Sequence, residues 1–330
     1  MLKTKVLIIR FSSIGDIVLT SPVVRCLKNQ LEDVEIHYLT KKRHGDLLKA
    51  NPYIHHIHLM DHSLDETIRD LKKENFDCIV DLHNNFRSLK VKQALRVKAY
   101  SFRKLNIRKL LLTWLKLGRL PKIHIVDRYM DTLKAFHVKN DHEGLDHFIP
   151  EKDEIRIDEL PEDFRKGYVV LVLAGTYFTK RLPVEKYHLL VEKSQIRFVL
   201  LGGKNEIPIA DQIMEWATGN VVNFTGKLKI NQSASLIRQA QLVISNDTGL
   251  MHIAAAFKKN ILSVWGNTVP EFGMVPYMPG ELSKILEVEG LPCRPCSKLG
   301  FKKCPKKHFK CMREIPEAEM VKWVEKVLVR

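Results

Sequence analysis

The segment SNDTGLMHIAAAF, residues 245–257, groups side chains that could hold an anionic ligand. The apolar run before it predicts a buried strand, and the small residues after Gly249 predict a helix. Asp247 or Thr248 could cap this helix, and Gly249 would let a ligand approach the backbone. The first helical amides and the helix dipole favour a phosphate, with His252 one turn further on. The same pattern also describes a capped helix without a ligand, in which His252 packs between helix and sheet.

Two further loops follow predicted strands and carry groups suited to a nucleoside diphosphate. AGTYFTKRLP offers the hydroxyls of Thr176 and Thr179 beside the charges of Lys180 and Arg181, a combination that suits phosphate oxygens. LLGGKNE places Glu206 where a carboxylate could accept both hydroxyls of a ribose. Taken singly, each pattern also fits a solvated loop with incidental charge.

The loop FSSIGD places Asp16 at the start of a predicted helix, beside Gly15 and the hydroxyls of Ser12 and Ser13. A carboxylate on such a loop is a candidate general base, although acids at helix starts also serve as caps. The loop lacks the G-x-G-x-x-G pattern, so a dinucleotide site is poorly supported.

DLHNNFRS follows another predicted strand and adds His83, Asn84 and Arg87. These polar groups could line the acceptor side of a site, or could be exposed loop residues. Because ligands bind outside the carboxyl ends of parallel strands, all of these loops are candidate site elements.

Seven short apolar runs, most of them followed by a glycine or a polar loop, predict the parallel strands that position these groups. They are KVLIIR (5–10), VEIHYLT (34–40), FDCIVDL (76–82), YVVLVLAG (168–175), IRFVLLGG (196–203), QLVISND (241–247) and ILSVWGN (261–267). Helical patterns alternate with them, which predicts an α/β class. With 330 residues, and a restart after the acid-rich stretch 151–167, we expect domains at 1–155 and 156–330. The closing helix could pack back on the first domain.

The net charge of +16 comes from two stretches. Residues 87–122 carry twelve Lys or Arg and no acid, and residues 293–311 carry seven and no acid. In the first stretch, RKLLLTWLKLGRL interleaves cations with leucines and Trp114, which predicts a basic amphipathic helix on an anionic membrane surface. A solvated helix whose apolar face joins the core is the alternative. RNA binding is less favoured, since no RNA-binding signature accompanies the charge.

Four of the six cysteines, Cys293, Cys296, Cys304 and Cys311, crowd into the tail with spacing C-x2-C-x7-C-x6-C. Four thiolates at such spacing could bind a structural zinc ion, and packed free thiols are the alternative. No apolar run reaches the ~20 residues that span a bilayer, and no signal peptide precedes the first predicted strand. We therefore expect a cytoplasmic protein.

Together these pieces resemble glycosyltransferase family 9, the heptosyltransferases of the lipopolysaccharide inner core. The matching segments span nearly the whole chain in the family's order: KVLIIRFSSIGDIVLTSPVVRCL, FDCIVDLHNNFRS, IHIVDRYMDTL, GTYFTKRLP, LLGGKNE, VISNDTGLMHIAAAF, ILSVWGNTVPE and CRPCSKLGFKKCPKKHFKCMREI. The resemblance implies a GT-B architecture, in which two Rossmann-like doubly wound domains face a cleft. The first domain would bind the acceptor and the second the nucleotide sugar.

The resemblance also assigns roles to individual residues. Asp16 would be the general base of an inverting transfer, and Lys180 would contact the donor phosphates. Glu206 would contact the ribose. The donor would also contact the group Thr176, Asp247, Thr248, Gly249 and His252, and the acceptor the group Ser12, Ser13, Gly15, His83, Asn84 and Arg87. Arg181 and Leu182 stand where the family commonly has an aromatic or His-Trp pair, a departure that bears on contacts to the base or the sugar.

The expected reaction moves heptose from ADP-heptose onto the lipopolysaccharide inner core, at the inner face of the cytoplasmic membrane. The acceptor would be a lipid A-type glycolipid, either lipid A-Kdo or one that already carries a heptose. The sequence contains no D-x-D metal motif, and the scheme requires no cofactor. Two alternatives remain: a transferase that uses another sugar nucleotide, or a non-catalytic nucleotide-fold scaffold that binds anionic membrane or RNA.

Overall fold

The computed structural model describes residues 4–116, 120–192 and 195–329, so Arg119 of the basic stretch lies outside the described residues. The chain divides into two compact units. The first comprises residues 1–104 and 123–150, and the second comprises residues 105–122 and 151–330. The larger segment of the second unit starts at residue 151, and the expected domain bounds of 1–155 and 156–330 stay a prediction.

The first unit is built on a five-stranded sheet in which every pairing is parallel. The strand order is β3-β2-β1-β4-β5, a doubly wound arrangement whose direction of winding reverses between β1 and β4. The strands are β1 (Thr4–Ile9), β2 (Val34–Lys41), β3 (His56–Met60), β4 (Cys78–Asp81) and β5 (Lys98–Ser101).

The second unit has a six-stranded parallel sheet of order β11-β10-β9-β6-β7-β8. Counted from β6, this is the strand order of a Rossmann fold, and the winding reverses between β6 and β9. The strands are β6 (Val169–Val172), β7 (Phe198–Leu201), β8 (Val221–Asn223), β9 (Leu242–Asn246), β10 (Asn260–Trp265) and β11 (Lys284–Glu287). The predicted α/β class is confirmed.

The described residues contain thirteen α-helices, most of which lie between these strands in the chain. They are α1 (Ile14–Val18), α2 (Ser21–Gln30), α3 (Leu64–Lys73), α4 (Phe86–Leu95), α5 (Asn106–Trp114), α6 (Ile125–Met130), α7 (Glu162–Arg165), α8 (His188–Glu192), α9 (Ile207–Trp216), α10 (Ile230–Gln239), α11 (Gly249–Ala256), α12 (Lys310–Arg313) and α13 (Glu317–Leu328). Short 3₁₀ turns occupy several of the loops.

The closing helix α13 belongs to the second unit. Met320, Trp323 and Val324 are buried in that unit's core, and the Trp323 indole donates to the Leu282 carbonyl at 2.9 Å. The apolar face of α13 is covered within its own unit, and the return to the first domain that the sequence allowed stays a prediction.

The basic stretch 87–122 does not form one long helix. Its first part is α4, which ends where Arg96 adopts a left-handed conformation with φ of 55°. Strand β5 follows, and α5 then ends at Trp114, well before the end of the predicted amphipathic segment. Within the described ranges, no helix combines the length and apolar composition needed to cross a bilayer.

Candidate functional site

In the first unit, Asp16 is held by a cation and a serine at the carboxyl end of β1. Its Oδ1 lies 2.7 Å from Nη2 of Arg10. Its Oδ2 accepts from the hydroxyl of Ser13 at 2.8 Å and from the Ser13 amide at 3.1 Å. Burial by itself would raise the pKa of Asp16, but the charge of Arg10 and the Ser13 hydrogen bonds outweigh it and lower this pKa below its usual value. Asp16 is thus an oriented carboxylate that is ionised at neutral pH.

Arg10 is fixed from several sides. Its Nη1 donates to the carbonyl of Leu82 at 2.6 Å and to the hydroxyl of Tyr129 at 2.8 Å. Its Nε donates to the carbonyl of Ser12 at 2.8 Å. The guanidinium therefore ties the loop after β1 to the loop after β4, across the point where the sheet reverses its winding.

The loop after β4 is organised by Asp81, which is fully buried. Its Oδ1 accepts from the amides of His83 at 3.0 Å and Asn84 at 2.7 Å, and its Oδ2 is ion-paired with Lys92 at 2.8 Å. Asn84 also donates from its side chain to the carbonyl of Phe102 at 3.0 Å. These contacts fix the two predicted acceptor residues at the same edge of the sheet as Asp16.

His83 is neutral at this edge. Burial lowers its pKa to about 4, and the charges of Arg10 and Lys104 act in the same direction. Its buried Nδ1 has no hydrogen-bond partner in the described structure. Such an atom can serve a ligand hydroxyl, since buried polar groups normally find a partner.

Further cations surround this edge. Burial and the charges of Arg43 and Arg87 lower the pKa of Lys41, which ends β2. Burial and the charge of Arg10 lower the pKa of Lys104, which follows β5. Arg87 itself is exposed on the first turn of α4. The carboxyl edge of the first sheet therefore favours an anionic ligand.

In the second unit, Lys180 and Asp247 meet at the reversal point of the sheet. Lys180 follows β6, Asp247 follows β9, and Nζ of Lys180 lies 2.5 Å from Oδ2 of Asp247. The same oxygen accepts from the hydroxyl of Thr268 at 3.0 Å. This topological reversal is where open parallel sheets bind ligands.

Neither Asp247 nor Thr248 caps α11 with its side chain. Thr248 occupies the N-cap position without a side-chain hydrogen bond to the helix, and Asp247 is committed to Lys180. The predicted side-chain cap is therefore wrong. The Asp247 carboxylate pairs with the Lys180 ammonium and, in the part of the chain that the structure describes, makes no hydrogen bond to the first amides of α11. Gly249 begins α11, and His252 is buried on it. The helix start is left suited to an anion.

Glu206 is engaged by Arg181 and by the backbone. Its Oε1 lies 2.9 Å from Nη2 of Arg181, and its Oε2 accepts from the amide of Gly203 at 2.9 Å. Arg181 lies directly over Gly175, where an added Cβ would approach its Cγ to 2.8 Å. Arg181, which stands where the sequence departs from the pattern it resembles, is thus the side chain that pairs with Glu206. Thr176 lies exposed on the same loop.

The four tail cysteines are free thiols in the second unit. Burial raises the pKa of Cys311 to about 12. The pKa of Cys296 is also raised, mainly by burial and to a smaller extent by the negative charges of Cys293 and Cys304. Among the described residues, the cysteines do not form a group of donor atoms that all lie within 4.8 Å of one another. The geometry therefore does not bring them together as a formed zinc site.

Two units that are each built on a doubly wound parallel sheet are typical of a GT-B glycosyltransferase. The family model for glycosyltransferase family 9 (heptosyltransferase) matches residues 65–304. The chain belongs to this family and is a glycosyltransferase.

Individual similar proteins agree with this assignment. Lipopolysaccharide heptosyltransferase 1 of Campylobacter coli is 23% identical over 290 residues, which cover 80% of this chain and 84% of the relative. A family 9 glycosyltransferase from Veillonella parvula superposes with a TM-score of 0.80 at 19% identity, covering 100% of this chain and 98% of that one. The E. coli heptosyltransferase WaaC, solved with ADP, gives a TM-score of 0.70 at 18% identity, covering 98% and 100%. The predicted family, GT-B fold and enzyme class are confirmed.

The sequence did not single out two partners of the predicted residues, Arg10 and Thr268. It named Arg181 and Glu206, but their ion pair emerges from the structure alone. One signal was available for Arg10, a charged residue that directly follows the apolar run of β1. Such a residue sits at the edge where ligands bind.

Proposed function

We propose that this enzyme transfers heptose from ADP-heptose onto the inner core of lipopolysaccharide, with inversion at the anomeric carbon. The single observation that carries the proposal is the ion pair at the reversal point of each sheet. The family assignment, the name of the Campylobacter relative and the ADP bound to the E. coli neighbour support the choice of sugar, acceptor and nucleotide.

The donor belongs to the second unit in this proposal. Lys180 contacts the diphosphate, as do the first amides of α11, which no side chain caps. Both stabilise the negative charge that grows on the leaving diphosphate. Glu206 accepts the ribose hydroxyls while Gly203 and Arg181 orient it. Thr176, Thr248 and His252 complete the donor contacts.

The acceptor belongs to the first unit, where Asp16 takes the proton of the attacking hydroxyl. Because Arg10 lowers the pKa of Asp16, the carboxylate is a weak base toward an unreacted hydroxyl. Proton transfer therefore accompanies formation of the glycosidic bond, when the hydroxyl becomes acidic. The positions of Ser12, Ser13, Gly15, His83, Asn84 and Arg87 suit contacts to the sugar and phosphate groups of the acceptor.

The positive charge that the reaction needs comes from Lys180 and the α11 amides, so the scheme uses no metal ion. A structural zinc site at the four tail cysteines stays a prediction. The prediction rests on the spacing of four thiols in one stretch of chain, which suits a zinc ion. Metal analysis of the purified, untagged protein before and after cysteine alkylation tests this.

Membrane contact is the second part of the proposal, and α5 supports it. Ile107 and Trp114 expose 75% and 79% of their surface, on a helix that also carries basic side chains. Exposed apolar groups beside cations are suited to the interface of an anionic bilayer. We place the enzyme on the inner face of the cytoplasmic membrane. Flotation with anionic vesicles should weaken in Ile107→Ser and Trp114→Ser. Val329→Ser is the control, because Val329 is 88% exposed and lies outside α5, and it should float as the wild type does.

A nucleotide screen tests the donor assignment. ADP, UDP, GDP and CMP are each titrated into the wild type and into Lys180→Met, and the melting temperature is followed. A ligand at about 100 times its dissociation constant stabilises the fold by roughly 2.7 kcal/mol, which is readily measured. We expect ADP to bind and the variant to bind it less well. If no nucleotide raises the melting temperature while acidic lipid or RNA does, the transferase proposal fails and a binding scaffold replaces it.

A further inference from the structure

The edge of the first sheet that lies away from Asp16 carries a cluster of imidazole and carboxylate groups. Glu35 and His37 lie two residues apart on β2, and His56 and His58 lie two residues apart on β3. Because side chains alternate along a strand, each pair points to one face of the sheet. The register places His37 opposite His56, so the two pairs share that face.

Three donor atoms in this cluster are already arranged around one point. Oε1 of Glu35 lies 2.9 Å from Nε2 of His37 and 3.6 Å from Nε2 of His56. The donor atoms of Glu35, His37 and His56 all lie within 4.8 Å of one another. Tetrahedral zinc with bonds of 2.0–2.1 Å separates its ligand atoms by about 3.3 Å, close to these distances.

His58 supplies the support that a ligating histidine normally has. Its Nε2 lies 2.8 Å from Nδ1 of His37, and the ring of Phe76 packs edge-on against His37 at 5.0 Å. With a metal on Nε2, His37 would carry its proton on Nδ1 and donate it to His58. This outer hydrogen bond fixes both tautomer and ring orientation.

The local charges also favour a cation. Among the residues that the structure describes, Glu35 and Glu74 share one ammonium, that of Lys5, at 3.8 Å and 3.6 Å. If a metal takes Glu35, Lys5 can remain with Glu74. His56 is 60% exposed, which gives an ion access from solvent.

We propose that Glu35, His37 and His56 form a binding site for a divalent transition ion of the zinc class, supported by His58. Nitrogen and oxygen ligands of this kind suit zinc, cobalt and nickel, and three protein ligands leave one position for water. The ion ties edge strand β3 to β2. The site is separate from the groups assigned to glycosyl transfer.

A second group, His37, His58 and Glu74, also has its donor atoms within 4.8 Å. It shares His37 and would use Nδ1, the atom that hydrogen-bonds His58. Variants of each group separate the two arrangements, because one needs Glu35 and His56 and the other needs Glu74.

The test is a titration of Co²⁺ and Zn²⁺ into untagged, chelator-treated full-length protein, followed by calorimetry and the visible spectrum of cobalt. A background in which Cys293, Cys296, Cys304 and Cys311 are replaced by serine removes metal binding by the tail thiolates, which would show a sulfur-to-cobalt charge-transfer band. We expect a spectrum of nitrogen and oxygen ligands. His58→Ala should weaken binding by about 10–100-fold, as expected for a supporting partner, and Glu35→Gln and His56→Ala should weaken it further.

His62→Ala is the matched control, since His62 is 91% exposed and lies just beyond β3. It should bind cobalt as the wild type does. The proposal is overturned if the wild type takes up no metal, or if Glu35→Gln and His56→Ala bind it unchanged. It is also overturned if Glu74→Gln abolishes binding while His56→Ala does not. Circular dichroism checks that each variant is folded.

Discussion

Replacing Arg10 by glutamine tests whether this arginine sets the pKa of the base Asp16. The guanidinium lies 2.7 Å from the carboxylate, which is 21% exposed. Burial alone would raise the pKa of Asp16, and the charge of Arg10 is the largest influence that lowers it. In Arg10→Gln, the Ser13 hydrogen bonds still lower the pKa of Asp16 against the effect of burial, but the positive charge of Arg10 no longer does.

The expected size of the effect follows from the pair. An adjacent arginine lowers an aspartate pKa by about 1–3 units, so its removal should raise the pKa of Asp16 by a similar amount. The acid limb of the pH profile of kcat/KM should therefore move to higher pH by about 1–3 pH units. At neutral pH Asp16 remains ionised, so Arg10→Gln should keep far more activity than Asp16→Asn, which loses general-base catalysis worth about 10²–10⁴-fold.

Stability should change with pH in a matching way. In the wild type, the folded-state pKa of Asp16 is below its unfolded value, so the pair stabilises the fold above the unfolded pKa. That contribution is lost as the pH falls through the folded pKa. In Arg10→Gln this stabilising pair is lost, so urea unfolding should show the largest deficit at neutral pH and a smaller one on acidification.

The assay is ADP release from ADP-heptose with a lipid A-type acceptor, measured from mildly acidic to neutral pH. Ser13→Ala provides a milder change, because it removes one 2.8 Å hydrogen bond to the ionised carboxylate, and it should shift the acid limb upward by less. Ser12 joins the network through its backbone carbonyl, so Ser12→Ala should leave the limb in place. An unmoved acid limb in folded, active Arg10→Gln and Ser13→Ala would refute the role given to Asp16.

Three further predictions concern single residues. Lys180→Met should lower kcat by about 10²–10³-fold in steady-state assays, since it removes a charge that stabilises the leaving diphosphate, and normal turnover would contradict that role. Glu206→Gln should raise the KM for the donor more than it lowers kcat, because it weakens ribose binding and the 2.9 Å pair with Arg181; a fall in kcat alone would argue against ribose contact. His83, whose pKa burial lowers to about 4, should keep a neutral imidazole spectrum by NMR from neutral to mildly acidic pH, and titration near its ordinary value would contradict the burial seen here.

The strands that the sequence predicted and those it missed differ in their place in the sheets. The predicted strands β1, β2, β4, β6, β7, β9 and β10 are all interior. The missed ones are β3, β5, β8 and β11, which form the four sheet edges. An interior parallel strand is covered on both faces and reads as a continuous apolar run, whereas an edge strand such as KAYS tolerates polar side chains. Periodicity therefore finds the centre of each sheet and not its borders.

The site shows a similar division. Local motifs located Asp16, Lys180, Glu206 and Asp247, because each follows a recognisable strand. Local motifs could not show which of these residues pair, since Lys180 and Asp247 are 67 residues apart in the chain. The metal-capable cluster was missed for the same reason, because strand pairing brings its parts together.

The two ion pairs at the reversal points differ in how firmly they are held, and this difference suits their proposed roles. Arg10 has rigid, planar geometry and donates to three further oxygen atoms, so its charge stays fixed beside Asp16. Lys180 is a flexible chain that ends in a point charge held by Asp247. A fixed pair can set the pKa of a base, and an exchangeable pair can pass its cation from a carboxylate to a phosphate. Asp247 thus offsets the desolvation cost of the partly buried Lys180 ammonium until the donor diphosphate takes its place.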